Sequence, residues 1–102
     1  MRERDIEAHL VKCVKALGGE VRKVQWIGRR GAPDRLVMLP AKTHTAWNGA
    51  RFLLAPCPIW VELKAPGVKA EAYQLREHAR MRAMGQVVMV IDSIEGVEEL
   101  LR

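Results

Sequence analysis

Ile6, Leu10, Val14 and Leu17 recur at helical spacing, which lays one apolar stripe along residues 4–17. Gly18-Gly19 stand where that helix should stop. Residues 21–27 then turn to β-branched and aromatic side chains, and residues 35–39 form a second apolar cluster closed by Pro40. Both segments read as strands. Residues 41–58 mix Thr, His and two prolines with a short apolar run at Phe52-Leu53-Leu54. They predict an irregular excursion in which Asn48-Gly49 offers a hairpin turn. A strand pattern resumes over residues 59–64 and is stopped by Pro66-Gly67.

Val68, Ala72, Leu75, Ala79 and Ala83 are spaced by four, three, four and four, so they predict the apolar face of a second helix ending at Gly85. The Val-rich residues 86–91 predict a buried strand. Asp92 or Ser93 can cap a closing helix whose apolar side is Ile94, Val97, Leu100 and Leu101. The expected order is αβββαβα, an α/β chain with a mixed central β-sheet flanked by helices. A length of 102 residues leaves room for a single domain over the whole chain.

With 49% hydrophobic and 28% charged residues, the composition is that of a globular chain and excludes extended disorder. The longest apolar run, Val87 to Ile91, cannot cross a bilayer, and no signal peptide is expected from the charged opening Met1-Arg2-Glu3-Arg4-Asp5, which leads into an amphipathic stretch. Cys13 and Cys57 make no disulfide framework, so a reducing, cytoplasmic setting without a membrane partner is expected. His9, Cys13, His44, Cys57 and His78 do not fall into a paired zinc spacing. Seventeen Lys and Arg against twelve Asp and Glu give a net charge of +5, which favours a polyanionic partner such as nucleic acid.

Two carboxylates stand where a charge is costly without a purpose. Asp34 follows Gly31-Ala32-Pro33, in which proline fixes the backbone before the acid and glycine permits a close approach. In residues 59–64, alternation puts Trp60, Glu62 and Lys64 on one face and Ile59, Val61 and Leu63 on the other, so an acid and an amine share a face roughly 7 Å apart. Alone, that pair could equally be a surface ion pair on a solvated strand face. Hydrolysis of a phosphodiester, however, needs a hard cation held by two or three oxygens and a positioned water, and an aspartate after proline upstream of Glu-x-Lys supplies such a set.

Pro33-Asp34, then Glu62-Leu63-Lys64, then Gln74 on the following helix, with Glu7 on the first, resembles the PD-(D/E)xK nuclease superfamily. Within it, the chain resembles the VRR-NUC (virus-type replication-repair nuclease) family over almost its whole length. The resemblance implies a restriction-endonuclease-like fold and an Mg²⁺- or Mn²⁺-dependent endonuclease that leaves a 5′-phosphate and a 3′-hydroxyl on DNA, with no organic cofactor. It implies that Asp34, Glu62 and the main-chain carbonyl of Leu63 hold the metal. Lys64 would serve the attacking water, Gln74 would position that lysine or the water, and Glu7 would complete or orient the metal site. A boundary glutamate beside the apolar stripe is the plainer reading of Glu7. Stand-alone family members resemble Holliday junction resolvases, which implies branched DNA as substrate, roles in replication, recombination or repair, a phage or bacterial source, and a homodimer. A catalytically silent DNA-binding module with the same fold is the alternative.

Arg29 and Arg30, in a glycine-bordered loop beside Asp34, suit phosphate contacts, as do Lys69, Arg76, Arg80 and Arg82 near or on the second long helix. Such contacts would be sequence-neutral and salt-sensitive. Trp26 is expected in the core. Trp47 and Phe52-Leu53-Leu54 need cover, which a symmetric dimer would provide.

Overall fold

The structure, a computed structural model, describes residues Met1–Arg102. Helix α1 spans Glu3–Ala16, β1 Glu20–Lys23, β2 Arg35–Met38, β3 Lys42–Thr45, β4 Arg51–Leu54, β5 Ile59–Leu63, α2 Ala72–Ala83, β6 Val87–Ile91 and α3 Ile94–Leu100. A four-stranded sheet runs β1-β2-β5-β6. Its first two pairings are antiparallel and the β5–β6 pairing is parallel. The expected mixed sheet with flanking helices is therefore present, with one hairpin, β3–β4, added as a sheet of its own.

Helix α1 ends as its sequence requires. Gly18 takes a φ of +84°, and the amides of Gly18 and Gly19 reach back to the carbonyls of Lys15 and Val14 at 2.9 Å each. The stripe Ile6, Leu10 and Val14 is fully buried. It meets Val37, Val61, Leu63, Ile91 and Val97 in one cluster, so α1 and α3 cover the same face of the sheet. Strand β1 stops earlier than its composition suggests. The Val24 amide still bonds the Asp34 carbonyl at 2.9 Å, but beyond it the chain leaves the ladder. That departure lets Trp26 give its indole N–H to the Pro33 carbonyl at 2.8 Å and pack on Trp60 at 5.1 Å between ring centroids. Trp26 is half-buried between loop and sheet, and Ile27 is exposed.

Helix α2 presents the opposite face from the one expected. Val68 before it, and Ala72, Leu75, Ala79 and Ala83 on it, are exposed, whereas Glu77, His78 and Met81 are buried and Gln74 is half-buried. Positions 74, 77, 78 and 81 also share one helical face. That face looks onto the Trp60–Glu62 side of the sheet, where polar groups are wanted. Strand β6 is likewise not buried throughout: it is the sheet's edge, and Val87, Met89 and Val90 remain 37–42% exposed.

The excursion resolves into the hairpin that Asn48-Gly49 allows. The Ala46 amide bonds the Ala50 carbonyl at 2.7 Å, and the Asn48 side-chain oxygen accepts from the Ala50 amide at 3.0 Å. All eight residues of β3 and β4 are exposed, as is Trp47 at the tip, 98% accessible. The hairpin's base borders a cleft of about 520 Å³ whose walls include Leu17, Leu39, Leu54 and Leu101.

Candidate active site

The register between β2 and β5 brings the two carboxylates together. Arg35 pairs with Val61 and Leu36 with Trp60. One step beyond the last pair, the same count sets Asp34 opposite Glu62. Side chains directly opposite one another in an antiparallel pair point to one face, with Cβ atoms about 5 Å apart. Because β2–β5 pairing ends at Val61, Glu62 and Leu63 lie on a stretch of β5 that β2 leaves uncovered.

The loop that delivers Asp34 is tightly held. Gly31 has a φ of +89°, and a Cβ there would stand 2.9 Å from the Tyr73 carbonyl oxygen, so only glycine lets this loop lie against the start of α2. Pro33 is fully buried, with Trp26 on its carbonyl. Asp34 itself is half exposed. Its Oδ1 accepts from Arg35 Nη1 at 2.9 Å.

Arg35, only 8% exposed, is a residue whose role the sequence pattern did not bring out. Its Nε bonds Glu7 Oε2 at 3.0 Å and its Nη2 pairs with the same oxygen, so one guanidinium joins α1 to Asp34. The resemblance allows Glu7 two roles, completing a metal site or orienting it, and what the structure gives Glu7 is this contact with Arg35. A signal existed: Arg35 alternates with Val37 on the core-facing side of β2, where a charge must have a partner.

Glu62 is 9% exposed, and burial pushes its carboxyl up from 4.5 to about 7. Lys64 pulls the other way, while the negative charges of Asp34 and Glu3 add to the rise. Glu3 lies on α1, one helical turn before Glu7. The carboxylate of Glu62 is thus under-compensated by the protein's own cations. His78, from α2, stands with Nε2 3.6 Å from Glu62 Oε1, is wholly buried, and has no hydrogen-bond partner on either ring nitrogen. Burial holds its imidazole below the ordinary histidine range, with Arg82 adding to the effect.

Gln74 uses its Oε1 to accept the Glu71 amide at 2.8 Å in a reciprocal helix cap, which leaves its amide nitrogen for other contacts. The basic residues divide. Glu77, buried on α2, receives Arg29 Nε at 3.1 Å and Arg80 Nε at 3.0 Å, and its carboxyl is held below the usual range chiefly by Arg29. Arg30 lies over the Tyr73 ring at 3.9 Å. Arg29, Arg30 and Arg80 are therefore gathered on one side of α2. Arg82 is committed to the Val88 carbonyl, at 2.7 Å, and fastens the helix to β6. Lys69 lies apart, in a shallow groove with Val68, Leu75 and Val90, and Arg76 is exposed.

No three His, Cys, Asp or Glu side chains come close enough together to hold a cation by themselves. The smaller set still suits a hard ion. Mg²⁺ commonly takes one or two carboxylates and keeps several waters. Asp34 and Glu62 offer the carboxylates, Leu63 a main-chain carbonyl, and the under-compensated charge at Glu62 is what a cation would relieve. Beside Asp34 opens a groove of about 540 Å³ bounded by Lys23, Gln25, Trp26 and Ala32.

No family model matches the chain. A curated relative, "Putative nuclease p44" of Acyrthosiphon pisum secondary endosymbiont phage 1, is 50% identical over 93 residues, covering 91% of this chain and 85% of the relative. A solved structure described as a VRR_NUC domain superposes with a TM-score of 0.74 at 36% identity, covering 97% of this chain and 92% of the other. Both likenesses run through β2, β5 and α2, where Asp34, Glu62 and their neighbours meet. With identity at this level over nearly the full length of each partner, the chain belongs to the VRR-NUC family of nucleases.

Proposed function

We propose that this nuclease is a divalent-metal-dependent endonuclease of DNA, with Asp34, Glu62 and the Leu63 carbonyl holding Mg²⁺ or Mn²⁺. The observation that carries the reading is the register that sets Asp34 opposite Glu62, the latter a buried carboxyl raised to about 7. When bound, the cation polarises the scissile phosphate and lowers the pKa of a water. The protein's own residues do the rest. Arg35 holds one oxygen of Asp34 and leaves the other for the metal. Lys64, one residue past the end of β5 and close enough to Glu62 to act on its charge, orients the attacking water and stabilises charge developing on the phosphate. The Gln74 amide steadies that lysine or the water. Glu7 acts through Arg35.

The backbone of the substrate runs along the basic side of α2. Arg29 keeps Nη1 outside its pair with Glu77, and Arg30 and Arg80 lie on the same side, so phosphates meet a preformed cluster. Lys69 and Arg76 extend the positive charge along or beside the helix. We further propose a homodimer acting on branched DNA. Support comes from the all-exposed hairpin with Trp47, Phe52 and Leu53, and from the outward Leu75 and Val90, apolar side chains open to solvent that a second copy would cover. No helix is long and apolar enough to cross a membrane.

The test is cleavage of duplex, flap and four-way-junction DNA with Mn²⁺ by the wild type, Glu62→Gln and Lys64→Ala. Each variant should lose at least about 10²-fold in rate while keeping its fold. Undiminished cleavage by either would end the assignment.

A further inference from the structure

The inward face of α2 carries a side chain that neither the family motif nor the packing explains. His78 is 0% exposed, yet both of its ring nitrogens lack a hydrogen-bond partner. Buried polar groups are rarely left so, and an apolar side chain would satisfy this position if filling space were all it required. The helix had such side chains available: Leu75 and Ala79, on either side, face outward instead.

The ring's surroundings say what it serves. Its Nε2 lies 3.6 Å from Oε1 of Glu62, and the main chain of Gly31, at the head of the loop that ends in Asp34, acts on it at short range, with the charges of Arg82, Glu77 and Lys64 around it. Glu77, next to it in sequence, is turned away and taken by Arg29 and Arg80. A neutral imidazole has one N–H to give. A carboxylate acceptor gains roughly twice as much from it as a neutral carbonyl does, and the 3.6 Å approach of Nε2 to Oε1 directs that N–H to Glu62.

We propose that His78 is a positioning residue for the metal site: its Nε2–H locks Glu62 Oε1 and leaves the second carboxylate oxygen aimed at the cation. The inference rests on the metal-site reading given above. It adds a residue that touches neither metal nor substrate. A separation of 3.6 Å is longer than a formed hydrogen bond, and such contacts commonly tighten when the ligand arrives. Because α2 is also pinned to the Asp34 loop through Gly31 against Tyr73, one helix would fix both carboxylates relative to each other.

The experiment compares wild type, His78→Gln and His78→Met. Gln and Met have similar length and flexibility, and only Gln keeps a donor. Mn²⁺ binding is measured by calorimetry on the DNA-free protein, and thermal melts are recorded in EDTA. His78→Met should bind Mn²⁺ about 10-fold or more weakly, in the range that the loss of an outer-shell partner produces, and His78→Gln should stay within about threefold of wild type. The metal-free melt of His78→Met should be equal to or above that of wild type, since it removes an unpartnered polar group. If His78→Met binds Mn²⁺ like wild type, if both variants are weakened alike, or if the Met melt collapses, the positioning role is wrong. If wild type itself does not bind Mn²⁺ while His78→Gln and His78→Met melt normally, the metal-site reading has failed, and this inference with it.

Discussion

Glu62 should make the metal-free protein less stable as pH rises. Its carboxyl is displaced from 4.5 to about 7, first by burial and further by Asp34 and Glu3. Between those two values the unfolded chain has released the proton and the folded chain still holds it. Stability therefore falls as pH climbs through the window, and the loss is complete above pH 7. At 1.36 kcal/mol per pH unit, the displacement corresponds to about 3 kcal/mol as an upper bound. Water reaches the neighbouring Asp34, which is half exposed, and screens the site, so roughly 1.5 kcal/mol is the working figure. For a chain of this length that is a fall of roughly 6–12 °C in Tm between pH 5 and pH 8. His78, with its imidazole held below the usual range, contributes the opposite slope, so the assay must be differential. Melts in EDTA are compared for wild type and Glu62→Gln across that range. The glutamine variant should lack the decline, and Mg²⁺ should restore the lost stability of wild type above pH 7. Parallel curves for the two proteins in EDTA would refute the reasoning, because they would mean that Glu62 ionises at no cost in the fold.

Gly31→Ala forces a left-handed conformation on a residue with a Cβ and drives that Cβ towards the Tyr73 carbonyl. It should destabilise by about 2 kcal/mol in urea melts and reduce cleavage further, and an unchanged midpoint would show that the loop is not pressed on α2. Mn²⁺ at a hundredfold excess over its Kd should stabilise wild type by about 2.7 kcal/mol and leave Asp34→Asn unmoved, whereas equal shifts would indicate an adventitious ion. Sedimentation at micromolar concentration should give a dimer for wild type and a monomer for Phe52→Ser with Leu53→Ser, at similar Tm. A monomeric wild type would remove the hairpin interface.

The sequence was most legible where periodicity and burial agree. Ile6, Leu10 and Val14 marked the buried face of α1, and the alternation in β5 separated Val61 and Leu63 from Trp60 and Glu62. Asn48-Gly49 gave the turn of β3–β4, although nothing in residues 41–58 foretold that both strands would lie exposed. Helix α2 is not legible from periodicity alone, because an apolar stripe at helical spacing ordinarily marks the inward face. The correct face, Gln74, Glu77, His78 and Met81, has the same spacing but polar chemistry. Asp34 and Glu62 were visible as candidates from their local context. Their opposition depends on the β2–β5 register, which no local pattern encodes. The places of Arg35 and His78 are illegible for a related reason: each is explained only by a partner distant in sequence, Glu7 for one and Glu62 for the other.

The two faces of the sheet differ in kind. The eight-residue apolar cluster lies under α1 and α3, on one face of the sheet. The other face carries Trp60, Glu62 and the polar side of α2, so it contributes less apolar burial and can accept charges that the first face would reject. A nuclease site gains from that division. Carboxylates must be dry enough to bind a cation strongly, yet not so enclosed that a polyanionic strand is kept out, and a sheet face roofed by a polar helix meets both conditions. The consequence falls on the outside of α2. With polar residues turned inward, Leu75, Ala79 and Val68 are left to solvent beside the open edge of β6. The same inversion that turns polar side chains towards Glu62 thus puts apolar ones on the outside of α2, and on the proposed homodimer reading a second copy would cover them, tying self-association to the orientation of one helix.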